Sequence, residues 1–315
     1  MDKNYVVGVD IGGQTTKIGV VDTRGEILAQ TVIRTDNHET FEPYADELAA
    51  AIKQVIATAG VEGQVRGVGV GAPNGNYYAG EIAFAPNLAW AHGVVPFVKI
   101  MKEKLEGIPV ILTNDANAAA MGEMAYGVAR GMKNFIMITL GTGVGSGIVV
   151  NGELVYGHDG FAGELGHVCA VRGGRRCGCG RDGCLEAYCS AIGAAKTATE
   201  WLSMSDEPSL LRGLDKITSK DIYDAAKQGD KLALRVFDYT GTILGRSLAD
   251  FTAFSAPEAF VLFGGLARSK EFLEAPIMKA LNENVLALWK DKVKVLFSAL
   301  KESDAAILGA SALAW

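Results

Sequence analysis

Apolar and polar positions along the chain fall into two successive series of strand and helix patterns. Tyr5–Asp10, Thr16–Asp22 and Glu26–Thr35 are short β-rich runs separated by glycine turns, predicting a three-stranded meander. Phe41 to Ala59 then places Leu48, Ile52, Val55 and Ile56 at helical spacing. Val65–Gly71 and Pro109–Thr113 read as buried strands, with a helix over Val94–Leu105 between them. Ala72-Pro73-Asn74-Gly75 closes the first in a turn. Asn114-Asp115 follows the second and caps an alanine-rich helix from Ala116 to Tyr126.

The grammar then restarts. Phe135–Leu140, Gly147–Val150 and Glu153–Tyr156 repeat the meander, and a cysteine-bearing excursion interrupts it. Helices are predicted over Leu185–Trp201, Ser219–Gln228, Lys231–Phe251 and Lys270–Leu288, with strands at Ala259–Phe263 and Val293–Ser298. Asp304–Leu313 is a final helix. Two halves of one grammar predict a duplicated α/β unit with helices on the faces of mixed sheets and a ligand cleft between the halves. The hinge is expected near Thr113–Ala116. The smaller domain then holds residues 1–114 plus about 300–315, and the larger holds 115–299 with an insertion at 163–189.

Composition narrows the class. With 315 residues and 49% hydrophobic content, the chain can bury two cores. A net charge of -6 argues against nucleic acid as a partner. No apolar run is long enough to span a bilayer, and no basic, apolar leader opens the chain, so a cytoplasmic protein is expected. All 5 cysteines crowd into residues 169–189, a spacing that suits metal ligation better than a disulfide framework.

Two glycine turns carry the first chemical signal. Asp10-Ile11-Gly12-Gly13-Gln14-Thr15-Thr16-Lys17 and Leu140-Gly141-Thr142-Gly143-Val144-Gly145 each leave one strand and enter another. Glycine lets phosphate oxygens approach backbone N–H groups, Thr15 and Thr16 add hydroxyls, and Asp10 suits a hydrated Mg2+. One such turn alone is an ordinary hairpin; the pair favours polyphosphate binding. Neither a Walker loop nor a dinucleotide fingerprint is present, since Gly12-Gly13 leads into a strand and not a helix. Gly264-Gly265 ends another strand, where it serves equally as a flat purine's seat or a tight turn. Asp115 reads alone as an N-cap. Beside phosphate turns it becomes the candidate base for a substrate hydroxyl.

His167, Cys177, Cys179 and Cys184 form a donor set for tetrahedral, structural Zn2+. Cys169 and Cys189 are spare thiols. The metal loop is expected to bring Glu164 and Glu186 together, which reads equally as a pair of acceptors for vicinal sugar hydroxyls or as solvated surface glutamates, with His158 in a neighbouring loop. Arg172, Arg175, Arg176 and Arg181 give the segment a positive face, serving solubility, subunit contact or phosphate attraction. Asn74–Ala83, with Tyr77 and Tyr78, is expected near the cleft; the tyrosines are equally readable as surface contacts.

Taken together, DIGG at Asp10–Gly13, APN at Ala85–Asn87 running on to Trp90, NDANAAAMGE at Asn114–Glu123, LGTGVGSG at Leu140–Gly147, GELGH at Gly163–His167, CGCGRDGCLE at Cys177–Glu186 and FGG at Phe263–Gly265 resemble the ROK family over essentially the whole chain. The resemblance implies an actin-like ATPase (sugar kinase) fold of two domains with a zinc knuckle. It also implies transfer of the ATP γ-phosphoryl group to a sugar hydroxyl. Asp115 would be the base, and Asn87, Asn114, Glu164, His167 and Glu186 the sugar shell, with His167 also ligating zinc. The first glycine turn (Asp10, Gly12, Gly13, Gln14, Thr15, Lys17), Thr142-Gly143 and Gly264-Gly265 would hold ATP. Gln14 departs from the threonine usual after the glycine pair, which bears on the phosphate contacts. Glucose, phosphorylated at O6, is the favoured substrate, with N-acetylmannosamine or N-acetylglucosamine as the alternative. The family's repressors carry a DNA-binding region ahead of the kinase-like body, whereas only four residues precede the first strand here. That makes a repressor reading weak, and retention of Asp10 and Asp115 speaks against a non-catalytic sensor. A homodimer, or a homotetramer built from it, is the expected assembly.

Overall fold

The computed structural model describes residues 3–315. Two five-stranded sheets share one strand order. In the first, β1 (Tyr5–Ile11), β2 (Thr15–Asp22) and β3 (Ile27–Arg34) form the antiparallel meander, and β4 (Val65–Gly71) and β8 (Val110–Thr113) add in parallel to give β3-β2-β1-β4-β8. The second runs β11-β10-β9-β12-β13, from β9 (Phe135–Leu140), β10 (Val144–Val150), β11 (Glu153–Leu154), β12 (Ala259–Phe263) and β13 (Lys294–Phe297). The repeated order is the duplication expected from the sequence. A three-stranded antiparallel sheet of β5 (Gly75–Asn76), β6 (Glu81–Ala83) and β7 (Val94–Val95) was not expected. Its strands are too short to show a period. Val94 and Val95 pair with β6, so the helix predicted from Val94 begins only after Pro96, as α2 (Phe97–Lys104). Proline suits a helix start and not its interior.

Contacts divide the chain into two compact units: residues 1–132, 147–162 and 299–315, and residues 133–146 and 163–298. This differs from the expected boundary at 114/115, because α3 (Asp115–Tyr126) packs within the first unit. Gly122 and Gly309 meet backbone to backbone, leaving no room for a side chain between α3 and α9 (Glu302–Ala312). Tyr126 also accepts a hydrogen bond from the Trp315 indole. The first core centres on Tyr44, Leu48 and Ile52 of α1 (Phe41–Ala59), packed on Val7, Val9, Ile18 and Val68 with Phe97 of α2.

In the second unit the predicted helix over Leu185–Trp201 is broken into α4 (Glu186–Cys189) and α5 (Ala191–Ser203). Ser190 adopts an extended backbone, and its hydroxyl caps the Gly193 amide. α6 (Ser219–Lys227) opens with a Thr218/Asp221 capping box. The long α7 (Lys231–Ser255) packs on α8 (Lys270–Asn284), where Gly241 leaves space for Pro276. Among the described residues no helix is long and apolar enough to cross a membrane.

Candidate active site

The first unit presents a carboxylate pair at the ends of its parallel strands. Asp10 is the next-to-last residue of β1, with Lys17 opposite it on β2 and Gly71 opposite it on β4; Gly71 in turn pairs with Thr113 on β8. Asp115 follows two residues later as the first residue of α3. Ligands of open α/β sheets bind beyond these carboxyl ends. Gly71 lets α3 pack closely here: a Cβ would sit 3.0 Å from Ala118 Cβ, a contact that α3 would have to yield to by a few tenths of an ångström. Burial, then repulsion from Asp115, pushes the Asp10 carboxyl up to about 6, against the opposing pull of Lys17. Asp115 is accessible to solvent on one side. Protein crowding still strips its hydration and raises its pKa, although amide bonds from Ala116 and Asp115 itself oppose the shift. Asn114 caps α3 by accepting from Ala116 N at 2.8 Å.

The turn between β1 and β2 is anchored on both sides. Gly12 N donates to Thr15 O at 3.0 Å, and Thr35 N donates to Gln14 O at 2.9 Å. Gln14 therefore holds the turn through its backbone, which any residue supplies, and leaves its side chain exposed. A Cβ on Gly13 would lie 2.9 Å from Asn87 O, so this turn rests directly on the loop carrying Asn87. Thr16 is not a phosphate donor. Strand alternation points it inward, where its hydroxyl bonds Thr35 Oγ1 at 2.8 Å and Tyr44 Oη at 2.6 Å. Thr15, on the other face, keeps its side chain partly accessible.

The second unit holds the remaining candidates. Gly141 N donates to Gly143 O, closing the turn around exposed Thr142. Gly264, at φ 103°, lies against Leu140: a Cβ would sit 2.7 Å from Leu140 O. The Gly264-Gly265 turn and the Thr142-Gly143 turn thus neighbour each other at the ends of β12 and β9. Glu186 accepts from Val144 N at 2.9 Å and occupies the space a Cβ on Gly143 would need. Spacing along the chain carries no sign of this link between a proposed sugar ligand and a phosphate turn. Ser146 holds the Glu164 segment by donating to Gly163 O and accepting from Leu165 N.

His167, Cys177, Cys179 and Cys184 place one ligand atom each within 4.8 Å of one another. Cys179 and Cys184 sulfurs are 3.6 Å apart, and Cys177 Sγ is 3.8 Å from His167 Nδ1. Tetrahedral zinc with bonds of about 2.3 Å requires edges of about 3.8 Å. Donor chemistry and spacing both fit Zn2+. Cys169 lies outside the cluster, and Cys189 is buried against Thr240 O, its thiol pushed up by burial. Arg175 corrects the expectation of a four-arginine positive face. It folds inward, bonding Glu200 through two nitrogens, Thr197 Oγ1 at 2.9 Å and the Tyr188 ring. Arg172, Arg176 and Arg181 keep their side chains accessible.

A cavity of about 420 Å3 in the second unit is lined by Ser219, Lys220, Tyr223, Gly265, Arg268 and Ser269. Of these only Gly265 was anticipated, since the residues come from α6 and the turn after β12, with no motif linking them. In the first unit the exposed Tyr77 stacks on Tyr156 at 4.2 Å and an interplanar angle of 4°.

The sequence model of the ROK family matches residues 6–315. A glucokinase of Halalkalibacterium halodurans is 36% identical, the alignment covering 98% of this chain and 94% of that protein. An N-acetylmannosamine kinase of Escherichia fergusonii is 31% identical over 98% and 97%. The crystal structure of a ROK family glucokinase from Streptomyces griseus in complex with glucose and AMPPNP is 35% identical, covers 98% of both chains and superposes with a TM-score of 0.77.

Proposed function

Because the chain belongs to the ROK family, we propose that it is an ATP-dependent hexokinase that phosphorylates O6 of glucose. The observation that carries this reading is the Asp10/Asp115 pair at the strand ends, two carboxylates close enough to repel and both with raised pKa. Asp115 takes the proton from the sugar hydroxyl as that oxygen bonds to phosphorus, which requires only modest basicity. Asp10 and Lys17 orient the phosphate end of the nucleotide, with Gly12, Gly13, Gln14 and Thr15 offering backbone and hydroxyl donors. Two repelling carboxylates favour a divalent cation, and hydrated Mg2+ would supply charge neutralisation at the phosphates. Thr142 and Gly143 are further phosphate donors in this reading, while Gly264 and Gly265 open the cavity beside Tyr223 to the base.

Asn87, Asn114, Glu164, His167 and Glu186 are proposed as the sugar shell. Zinc would be held by His167, Cys177, Cys179 and Cys184 as a structural ion that stiffens the loop. His167 turns Nδ1 to the cysteines, which leaves Nε2 to donate to a hydroxyl. The higher identity to the glucokinase than to the N-acetylmannosamine kinase supports glucose. We extend the proposal to a cytoplasmic homodimer on the family resemblance, and light scattering on the purified protein tests the dimer.

The decisive experiment is coupled ADP release with ATP and magnesium across glucose, mannose, fructose, allose, N-acetylglucosamine and N-acetylmannosamine. Glucose should give the highest kcat/KM. A higher value for N-acetylmannosamine overturns the sugar assignment, and no sugar-dependent ADP release from folded, zinc-loaded protein overturns the kinase.

A further inference from the structure

Tyr44 closes the first turn of α1, four residues before Leu48, and its side chain is buried. Its hydroxyl bonds Thr16 Oγ1 at 2.6 Å, and that same threonine oxygen bonds Thr35 Oγ1 at 2.8 Å. Thr35 N also donates to Gln14 O at 2.9 Å. The three hydroxyls therefore form one buried chain behind the turn at residues 12–15, joined to it through Thr16 on one side and Thr35 on the other. Burial raises the pKa of the Tyr44 phenol, so it stays protonated and can donate.

The Tyr44 ring has a different partner. It stacks on the Trp90 indole, with centroids 4.7 Å apart and an interplanar angle of 20°. Phe41 packs on both rings. Trp90 is buried, and its Nε1 has no hydrogen-bond partner among the described residues, so packing against rings seats the indole. Trp90 belongs to a closed loop: Ala85 N donates to Ala91 O, Leu88 N to Ala85 O and Ala91 N to Leu88 O. Asn87 is exposed on that loop, and its carbonyl is the atom that a Cβ on Gly13 would meet at 2.9 Å. The glycine turn and the Asn87 loop thus touch at Gly13 and share Tyr44 behind that contact.

We propose that Tyr44 is a positioning residue that couples the two substrates: its hydroxyl holds the phosphate turn through Thr16, its ring holds the sugar loop through Trp90, and a ligand that orders one orders the other. The proposal rests on the reading of residues 12–15 as phosphate donors and of Asn87 as a sugar ligand. The second ligand to bind meets a loop already fixed, so each tightens the other by the same factor. Fixing both loops also fixes the gap the phosphoryl group must cross to the sugar oxygen. In sequence Tyr44 reads as one more core position, because it continues the helical spacing of Leu48 and Ile52. The fold shows that its hydroxyl and its ring serve different loops.

The test is glucose affinity by calorimetry, with and without saturating magnesium AMPPNP. Wild-type protein should bind glucose about tenfold more tightly when the nucleotide is present. Tyr44→Phe keeps the stacked ring and loses the hydroxyl. It should reduce that factor to about twofold or less, with the affinity for each ligand alone near wild type. Thr16→Val breaks the same bond from the other side and should do the same, whereas Thr16→Ser keeps a hydroxyl and should keep the coupling. The double variant Tyr44→Phe/Thr16→Val should be no worse than either single variant, since both break one bond. Trp90→Leu removes the stacked indole and should also lower the factor, without weakening AMPPNP binding on its own. A wild-type factor near one, with both ligands binding, overturns the proposal. So does a Tyr44→Phe variant that keeps the wild-type factor, or a loss that Thr16→Ser shares. Failure of folded wild-type protein to bind glucose or AMPPNP overturns instead the reading of the site on which the proposal rests.

Discussion

Asp10 and Asp115 repel each other across the strand ends, and this sets how the free protein responds to pH. The Asp10 pKa lies at about 6 in the fold against 3.8 for an unperturbed aspartate. The folded state therefore binds the proton more tightly than the unfolded chain does. Stability falls as pH rises from about 3.8 to about 6, and the loss is complete above that window. Asp10→Asn should accordingly raise the Tm of the nucleotide-free protein at a pH of about 7.5, with the gain shrinking as pH approaches about 4. A gain independent of pH would assign the effect to packing. Asp115→Asn tests the proposed base. Its kcat should fall by about 10²–10⁴-fold while glucose still binds within a few-fold of wild-type affinity, by calorimetry. Near-normal turnover would remove Asp115 from the role. Both aspartates are visible in the sequence because each follows a buried strand and sits in a motif. The partner of Glu186 is not, since it depends on a contact between residues 42 positions apart.

At the scale of elements, the cysteine loop is where local sequence says most. Its ligands occupy one short stretch, so their meeting needs little help from the rest of the fold. Its glycines show why the stretch can turn so sharply: Gly183 has φ 77°, and a Cβ there would overlap Val171 O. What spacing leaves open is the loop's attachment. Arg175, read as part of a charged face, is a strut that ties the loop to α5 through Glu200 and Thr197. A charged side chain bonded this fully inside the protein is invisible to composition. Cys179→Ser should cut bound zinc, by elemental analysis, and raise the glucose KM more than the ATP KM, because His167 belongs to the metal cluster and Glu186 Oε1 lies 3.7 Å from Cys177 Sγ. Wild-type zinc content in that variant would exclude Cys179 from the ligand set. The break at Ser190 escapes the periodicity for a different reason. The surrounding residues all favour helix, and one side-chain cap decides the geometry against that local tendency.

At the scale of the whole molecule, the 39 glycines include some that close packing requires and others, such as Gly265, that no neighbour within 4 Å requires. A periodicity reading cannot separate the two, and this is also why it puts the domain boundary at the start of α3. The chain's last helix lies across the first sheet so closely that a Cβ on Gly8 would sit 2.0 Å from Ile307 O, and one on Gly69 would sit 1.9 Å from Ala310 O. These positions look like any strand glycine in sequence. Their meaning appears only when residues from opposite ends of the chain meet, and the same close packing of α9 on α3 draws Asp115 into the first unit. Gly265 is the opposite case: its φ is ordinary, -57°, and nothing lies within 4 Å of the point a Cβ would occupy. Gly69→Ala should therefore cost roughly 1–3 kcal/mol in urea unfolding, or more where α9 cannot shift, with activity lost in step with folded protein. Gly265→Ala should leave the unfolding curve unchanged and raise the KM for ATP, because the added methyl projects into the cavity beside Tyr223. A destabilised Gly265→Ala with normal nucleotide kinetics would make that glycine a folding requirement and detach the cavity from the proposed donor site.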